Sequence, residues 1–224
     1  MHFINRSSKH YLHKGEQQEF IMELTFSQAC ENNKAAILAK LKESFKTTEK
    51  VLEIGSGTGQ HAIYFAENLP HLLWKTSDLT INHYSINQRI TRSNLSNINS
   101  AITLDLNDDW PLTTGKSEYQ VDGIFTANTL HIVSWQLVQR FFAGVKENLM
   151  KSGTLCIYGP FKYDGKFTSE SNANFELWLK DRDINSGIRD FEAIEALAKS
   201  AGLSLMMDYT MPANNRLLTF IKNC

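Results

Sequence analysis

The sequence predicts an α/β fold in which short buried strands alternate with amphipathic helices. Apolar runs such as residues 51–54 and 121–126 suit buried strands, whereas the apolar side chains of residues 135–149 recur every three or four positions, as in a helix packed on a sheet. Strand and helix patterns alternate along the chain, which favours parallel strands. With 42% hydrophobic residues, the 224-residue chain can bury one sizeable core and does not require a second domain.

The most informative stretch is residues 51–59, where an apolar strand runs into a tight turn and a helical pattern follows. The turn contains three glycines spaced two apart, Gly55, Gly57 and Gly59. Glycine has no Cβ, so it permits unusual backbone angles and lets a ligand lie directly against the main chain. The sequence therefore predicts a ligand site at this turn.

The residues around the glycines distinguish between cofactors. A phosphate loop needs a lysine after its last glycine, but Gln60 and His61 follow Gly59, which argues against a nucleoside triphosphate. The dinucleotide fingerprint needs its third glycine at position 60, so NAD becomes the second alternative. Glu53 at the strand end would repel a pyrophosphate and attract an ammonium group. S-adenosylmethionine has such an ammonium and no phosphate, so it is the predicted cofactor.

The pattern Glu-x-Gly-x-Gly-x-Gly at Glu53–Gly59 resembles motif I of the class I S-adenosylmethionine-dependent methyltransferases. Roughly residues 26–221 resemble the small methyltransferase-like 26 family, in the segments Gly57–His61, Phe125–Ile132, Tyr158–Phe161, Ser171–Ala173, Gly187–Asp190 and Met211–Asn215. That family is a domain of unknown function, so the resemblance implies a fold and a cofactor but no substrate. The fold it implies is a Rossmann-like seven-stranded sheet, ordered 3-2-1-4-5-7-6 with strand 7 antiparallel and helices on both faces.

Composition excludes several kinds of partner. A net charge of −1 leaves no broad basic surface, so a long nucleic acid is not expected. The three cysteines are scattered, without the spacing of a zinc site or of a disulfide framework, which predicts no metal site and a reducing, cytoplasmic location. No apolar run reaches the length of a membrane span. The expected partner is a small-molecule or protein substrate, and composition does not predict an oligomeric state.

The beginning of the chain is interpreted as a polar extension over residues 1–21, followed by a methyltransferase-like domain over residues 22–224. The domain opens with a helix that has Asn32 or Asn33 as its expected N-cap. An alternative is that the segment before this helix folds over the cofactor mouth, as leading segments do in similar methyltransferases. His61, just after the glycines, is expected at the surface or behind the site.

Acidic residues end the second and third predicted strands. Asp78, about 20 residues after the glycines, is expected to accept hydrogen bonds from both ribose hydroxyls of the cofactor, with helix capping as the alternative. Asp105 follows the strand at residues 98–104. The resemblance implies that Asp105 accepts from the adenine amino group while Leu106 packs on the ring; a solvated loop acid is the alternative. The other predicted cofactor residues are Ser56 in the glycine turn, Leu79 next to Asp78, and Asn128 after the fourth predicted strand.

The ends of the fourth and fifth predicted strands contribute two candidate catalytic residues, His131 and Tyr158. Ligands bind where the strand order of such a sheet reverses. A sulfonium is a reactive methyl donor, so the protein needs to align the acceptor and let a proton leave. His131 is the predicted proton acceptor, and its loss would then lower turnover roughly 10²–10⁴-fold. In the alternative, His131 only hydrogen-bonds the backbone before the next helix.

Residues 159–190 form a long excursion from the fifth strand, rich in polar residues with aromatic residues interspersed. Because it leaves from the strand end where the methyl group must be delivered, it is the predicted substrate lid, with a short helix near residues 174–180. Asp190 is the expected cap of the last helix. The sequence thus predicts S-adenosylmethionine-dependent methyl transfer. A catalytically silent cofactor-binding module and a nicotinamide-dependent oxidoreductase are the alternatives.

Overall fold

The computed structural model describes residues 24–111 and 120–223, so the predicted extension over residues 1–21 lies outside the described residues. The strands are β1 (Lys50–Ile54), β2 (Leu73–Asp78), β3 (Ile98–Thr103), β4 (Val121–Ala127), β5 (Leu149–Gly159), β6 (Phe161–Tyr163), β7 (Lys166–Phe167), β8 (Arg189–Asp190), β9 (Leu203–Met211) and β10 (Asn215–Lys222). The helices are α1 (Gln28–Ser44), α2 (Gln60–Asn68), α3 (His83–Ser93), α4 (Trp135–Asn148), α5 (Glu170–Arg182) and α6 (Phe191–Ser200).

Seven of these strands form the main sheet, in the order β3-β2-β1-β4-β5-β10-β9. The first five strands are parallel, and β10 runs antiparallel to both of its neighbours, β5 and β9. Counted within this sheet alone, β9 and β10 are the sixth and seventh strands, so the predicted order is confirmed. The three short strands β7, β6 and β8 form a second, small sheet.

Helices cover both faces of the main sheet, as predicted. Neighbouring residues of β4 point to opposite faces, so Phe125 belongs to one core and Ile124 to the other. The core containing Phe125 packs under α1, α2 and α3, and the core containing Ile124 packs under α4 and α6. Among the described residues, no helix is both long enough and apolar enough to cross a membrane.

The predicted start of α1 is wrong. Ser27 is the N-cap, with its hydroxyl oxygen accepting from the Cys30 amide at 3.4 Å. Asn33 lies inside the helix and is buried, with its Oδ1 2.6 Å from His61 Nε2. Asn33, which the local pattern assigned to the helix end, is therefore held by His61 from α2.

The segment over residues 159–190 has regular secondary structure, because it contains the small sheet and α5. This helix is longer than the one predicted at residues 174–180 because Ser169 caps it, accepting from the Asn172 amide at 3.1 Å. Asp190 occupies the N-cap position of α6 as predicted, but its side chain makes no capping hydrogen bond.

Candidate cofactor and acceptor site

The glycine loop (residues 55–59) joins β1 to α2 at the carboxyl end of the sheet. All three of its glycines have positive φ, +75° at Gly55, +57° at Gly57 and +79° at Gly59. A Cβ on Gly55 would lie 2.8 Å from Thr129 Oγ1, and one on Gly59 would lie 3.1 Å from Ile86 Cα. A Cβ on Gly57 would meet only the Gly55 carbonyl oxygen, at 4.0 Å. Gly55 and Gly59 are therefore packed against protein, whereas Gly57 borders open space that a ligand can fill.

Asp78, at the end of β2, binds this loop directly. Its Oδ2 accepts from the Gly57 amide at 2.6 Å, and its Oδ1 accepts from the Leu79 amide and from Asn82 Nδ2, both at 2.7 Å. A carboxylate has about four acceptor positions, and these bonds use three of them. Asp78 thus retains room for one ribose hydroxyl in this conformation, rather than the predicted two.

Glu53 is buried next to the glycine loop, and one of its carboxylate oxygens is bound within the protein. The residue is 2% exposed, and its Oε2 accepts from Ser56 Oγ at 2.9 Å and from Trp74 Nε1 at 3.1 Å. Burial, with a smaller contribution from the charge of Asp78, raises the pKa of this carboxyl to about 7. Oε2 therefore serves the loop and the core, and the predicted contact of Glu53 with an ammonium group, directly or through water, stays a prediction.

This pKa predicts how stability depends on pH. The pKa of Glu53 lies above its unfolded value of 4.5, so its contribution to stability is fully present below pH 4.5 and is lost as the pH rises through 7. We expect Glu53→Gln, which cannot ionise, to be more stable than the wild type by about 3 kcal/mol at pH 8 and nearly equal to it near pH 4.5. Urea unfolding at both pH values measures the difference.

The matched control for this prediction is Glu195→Gln, because Glu195 is exposed on α6 and has no hydrogen bond or ion pair within the described parts of the chain. Its effect should be the same at both pH values. A Glu53→Gln variant that is less stable than the wild type at pH 8 would contradict the assignment of a costly buried charge.

Four of the remaining predicted cofactor residues occupy four different environments. Asp105 Oδ1 accepts from the backbone and side chain of Asn107, at 2.8 and 3.0 Å, so part of this carboxylate closes a turn. Leu106 is 7% exposed and belongs to the core beside α4. Leu79 is 46% exposed next to Asp78, and it offers more apolar surface to a ligand than Leu106 does. The backbone amide of Asn128 donates to the Tyr158 carbonyl at 2.9 Å and joins the ends of β4 and β5.

The segment before α1 is bound to residues next to the glycine loop, and its predicted position over the cofactor mouth stays a prediction. Gln60 Oε1 accepts from the Ser27 amide at 2.6 Å, and Gln60 Nε2 donates to Glu31 Oε1 at 2.5 Å. From α3, Arg89 donates to the carbonyls of Thr58 at 2.9 Å and Thr25 at 2.5 Å. Sequence reasoning missed these contacts, because no local pattern pairs residues 25–31 with residues 58–89.

His61 is buried beside this segment, so of the two predicted positions it takes the one behind the site and not the one at the surface. Its Nε2 lies 2.6 Å from Asn33 Oδ1, and its ring stacks on Phe65 with a centroid distance of 5.2 Å. Burial lowers the pKa of His61 to about 4. The imidazole is therefore neutral near pH 7 and joins α1 to α2.

The two candidate catalytic residues lie at the adjacent ends of β4 and β5. Burial raises the pKa of Tyr158, and the neighbouring amides of Asn33 and Asn215 oppose that shift. His131 is 5% exposed, and its ring lies edge-on to Phe175 at a centroid distance of 5.4 Å. Burial and the charge of Arg189 lower the pKa of His131 to about 3. This imidazole is neutral near pH 7, but it is a much weaker base than an ordinary histidine.

A family model described as "Protein of unknown function (DUF938)" matches residues 24–222. The chain belongs to this family. The match does not test the finer resemblance to the methyltransferase-like 26 family, which stays a prediction.

Solved structures share the fold at low sequence identity. An O-methyltransferase family protein from Burkholderia thailandensis is 16% identical with a TM-score of 0.73, over 84% of this chain and 56% of that one. Human N-acetylserotonin methyltransferase, solved in complex with S-adenosylmethionine, is 14% identical with a TM-score of 0.72, over 88% of this chain and 53% of that one.

A third structure, an O-methyltransferase from neocarzinostatin biosynthesis, was solved with S-adenosylmethionine and 2-hydroxy-5-methyl naphthoic acid. It is 15% identical with a TM-score of 0.70, over 88% of this chain and 55% of that one. This chain spans a little over half the length of the structures it matches. At these identities the similarity shows a common Rossmann-like methyltransferase fold.

Proposed function

We propose that this protein binds S-adenosylmethionine at the glycine loop and transfers its methyl group to a small molecule. The observation that carries the proposal is the open face of Gly57 beside the carboxylate of Asp78. The ribose of NAD could also use this carboxylate, but Gln60 stands where the dinucleotide fingerprint has its third glycine. Arg89, the cation that contacts the loop, is bound to backbone carbonyls. A cofactor with a sulfonium, an ammonium and a ribose fits this charge distribution better than NAD does.

The cofactor residues have separable roles in this proposal. The loop backbone at Gly55, Ser56, Gly57 and Gly59 accommodates the ligand, while Glu53 holds Ser56 in place. Asp78 accepts from one ribose hydroxyl, and Leu79 covers the apolar side of the nucleoside. Asp105 and Leu106 remain the proposed adenine contacts, and Asn128 lines the site where β4 ends. When bound, the cofactor supplies a methyl group on a positively charged sulfur.

On the acceptor side we assign contacts to His131 and Tyr158, at the ends of β4 and β5. Methyl transfer needs the acceptor atom in line with the donor, so groups that hydrogen-bond the acceptor contribute by alignment. The low pKa of His131 favours this aligning role over the predicted proton-accepting role. The excursion over residues 159–190 is the proposed wall of the acceptor pocket, since Phe175 of α5 lies against His131.

The ligands bound in two structures of similar fold favour a small-molecule acceptor. The structure from neocarzinostatin biosynthesis holds a naphthoic acid, and another similar structure, from Planctomyces limnophilus, holds apigenin. A protein acceptor, a silent cofactor-binding module and a nicotinamide-dependent oxidoreductase are the alternatives. A cytoplasmic location stays a prediction from the cysteine pattern.

Turnover separates an enzyme from a silent module. We expect the wild type, incubated with S-adenosylmethionine and a fractionated metabolite extract, to release S-adenosylhomocysteine in at least one fraction, and Asp78→Ala to release far less. Binding of S-adenosylmethionine without turnover in any metabolite or protein fraction would favour the silent module.

A further inference from the structure

Residues 186–189, at the end of the excursion, form a carbonyl clamp on the loop that carries His131. Four successive carbonyls of that loop, those of residues 130–133, accept hydrogen bonds from the clamp. The Gly187 amide donates to the His131 carbonyl itself at 2.9 Å, and Ser186 Oγ donates to the carbonyl of the next residue at 2.5 Å. The clamp thus holds the His131 loop by its main chain.

Arg189 binds both ends of this row of carbonyls. Its Nε donates to the Leu130 carbonyl at 2.9 Å, and its Nη2 donates to the Val133 carbonyl and, at 3.1 Å, to the Asn185 carbonyl. A guanidinium is planar and presents its N–H donors in a fixed fork, whereas a lysine ammonium is a point charge on a flexible stem. Arg189 therefore fixes the distance between the two ends of the row, which a positive charge alone would not do.

The clamp is held in turn by α5. Glu176 Oε2 accepts from the Ile188 amide at 2.5 Å. Burial lowers the pKa of Arg189, and the nearby charge of Glu176 opposes that shift. A Cβ on Gly187 would lie 2.8 Å from Glu176 Oε1, so the lack of a side chain at this position lets the carboxylate reach the clamp.

The same helix contacts the His131 ring. Phe175, next to Glu176 in α5, lies edge-on to the ring at a centroid distance of 5.4 Å. On the β5 side, a Cβ on Gly159 would lie 3.4 Å from His131 Nδ1. The excursion therefore contacts His131 by two routes, its ring through Phe175 and its main chain through the clamp that Glu176 holds.

Resting on the proposed function, we propose that Arg189 and Glu176 are positioning residues of the acceptor site. Arg189 sets the main chain of residues 130–133, and Glu176 sets the clamp, so that the His131 ring is directed toward the methyl acceptor. Methyl transfer depends on alignment, and a displacement of about 1 Å at a site can lower a rate roughly 10²-fold. The hydrogen bonds that support an aligning side chain therefore contribute to the rate.

Arg189 is also a cation near His131, so charge and geometry are two explanations of its role, and a lysine distinguishes them. If the charge matters, lysine replaces arginine without loss. If the bonds to Leu130 and Val133 matter, lysine fails, because one ammonium nitrogen does not reproduce the fork.

Turnover of Arg189→Lys tests the positioning role. With S-adenosylmethionine and a metabolite fraction in which the wild type releases S-adenosylhomocysteine, we expect the maximal rate to fall roughly 10–100-fold while the KM for S-adenosylmethionine changes by less than about twofold. Arg182→Lys is the matched control, since Arg182 is exposed on α5 and lies over the Trp178 ring at 4.7 Å; its turnover should equal that of the wild type. Wild-type turnover by Arg189→Lys, or a raised KM with an unchanged maximal rate, would overturn the proposal.

A second measurement needs neither cofactor nor acceptor, so its failure is distinct from a failure of the proposed function. In nuclear magnetic resonance spectra of histidine-labelled protein, the His131 ring signal is assigned by its loss in His131→Gln. We expect this signal to shift in Arg189→Lys, while the signal of His61, which lies between α1 and α2, stays in place.

Two further variants test the other parts of the clamp. Glu176→Ala removes the acceptor of the Ile188 amide, and Ser186→Ala removes one bond to the loop while leaving Arg189 in place. Both should shift the His131 signal, Ser186→Ala by the smaller amount. An unchanged His131 signal in folded Arg189→Lys and Glu176→Ala proteins contradicts the positioning role. Where either protein fails to fold, the signal in Ser186→Ala decides the question.

Discussion

Replacing Gly57 with valine is expected to abolish measurable binding of S-adenosylmethionine while the domain still folds. Among the three loop glycines, only Gly57 borders open space at its Cβ position, so a valine side chain would fill the volume proposed for the ligand. The positive φ of +57° adds a backbone cost of about 1–3 kcal/mol, because a β-branched residue rarely adopts it. Calorimetric titration measures the affinity, and thermal unfolding measures the stability.

Gly202→Val separates the filled pocket from the backbone strain. Gly202 has φ of +78°, and a Cβ there would have no atom within 4 Å, but the residue lies at the carboxyl end of α6. Both variants should therefore lose similar stability, and only the Gly57 variant should lose binding. If Gly57→Val binds the cofactor as tightly as Gly202→Val does, the glycine loop is not the cofactor site.

The Asp78→Ala variant should bind S-adenosylmethionine ten- to a hundredfold more weakly, which corresponds to roughly 1.5–3 kcal/mol for hydrogen bonds to a charged group. Two losses contribute to this effect. The ribose loses an acceptor, and the amides of Gly57 and Leu79 lose the carboxylate that holds them in position.

Asp181→Ala is the matched control, since it removes the same charge from an exposed position on α5 that has no hydrogen bond or ion pair in the described ranges. Its affinity should equal that of the wild type. A folded Asp78→Ala protein with an unchanged dissociation constant would remove Asp78 from the site.

The elements that position the site were predictable because they follow from local patterns and from sheet geometry. The apolar runs and the glycine turn identified β1 and α2, and the rule that ligands bind at carboxyl ends of parallel strands pointed to Asp78 and Asn128. The structure places both residues beside the glycine loop or the end of β4. The order of the main sheet came from the family resemblance.

What the sequence could not show depends on contacts between distant residues. The choice of Ser27 over Asn33 as the helix cap follows from the burial of Asn33 against His61. Histidine type alone suggests a base near neutral pH, whereas burial and Arg189 make His131 a weak one. No local pattern predicts that Arg189 donates to carbonyls more than fifty residues earlier in the chain.

The binding of cofactors to the wild-type protein tests the central claim most directly. Isothermal titration with S-adenosylmethionine, S-adenosylhomocysteine and NAD should give one site per chain for the first two, with dissociation constants on the order of 1 μM, or about −8 kcal/mol, and no detectable heat for NAD. Gly57→Val should remove both signals. Binding of NAD in preference to S-adenosylmethionine, or the absence of any S-adenosylmethionine binding, would contradict the assignment of the glycine loop as an S-adenosylmethionine site.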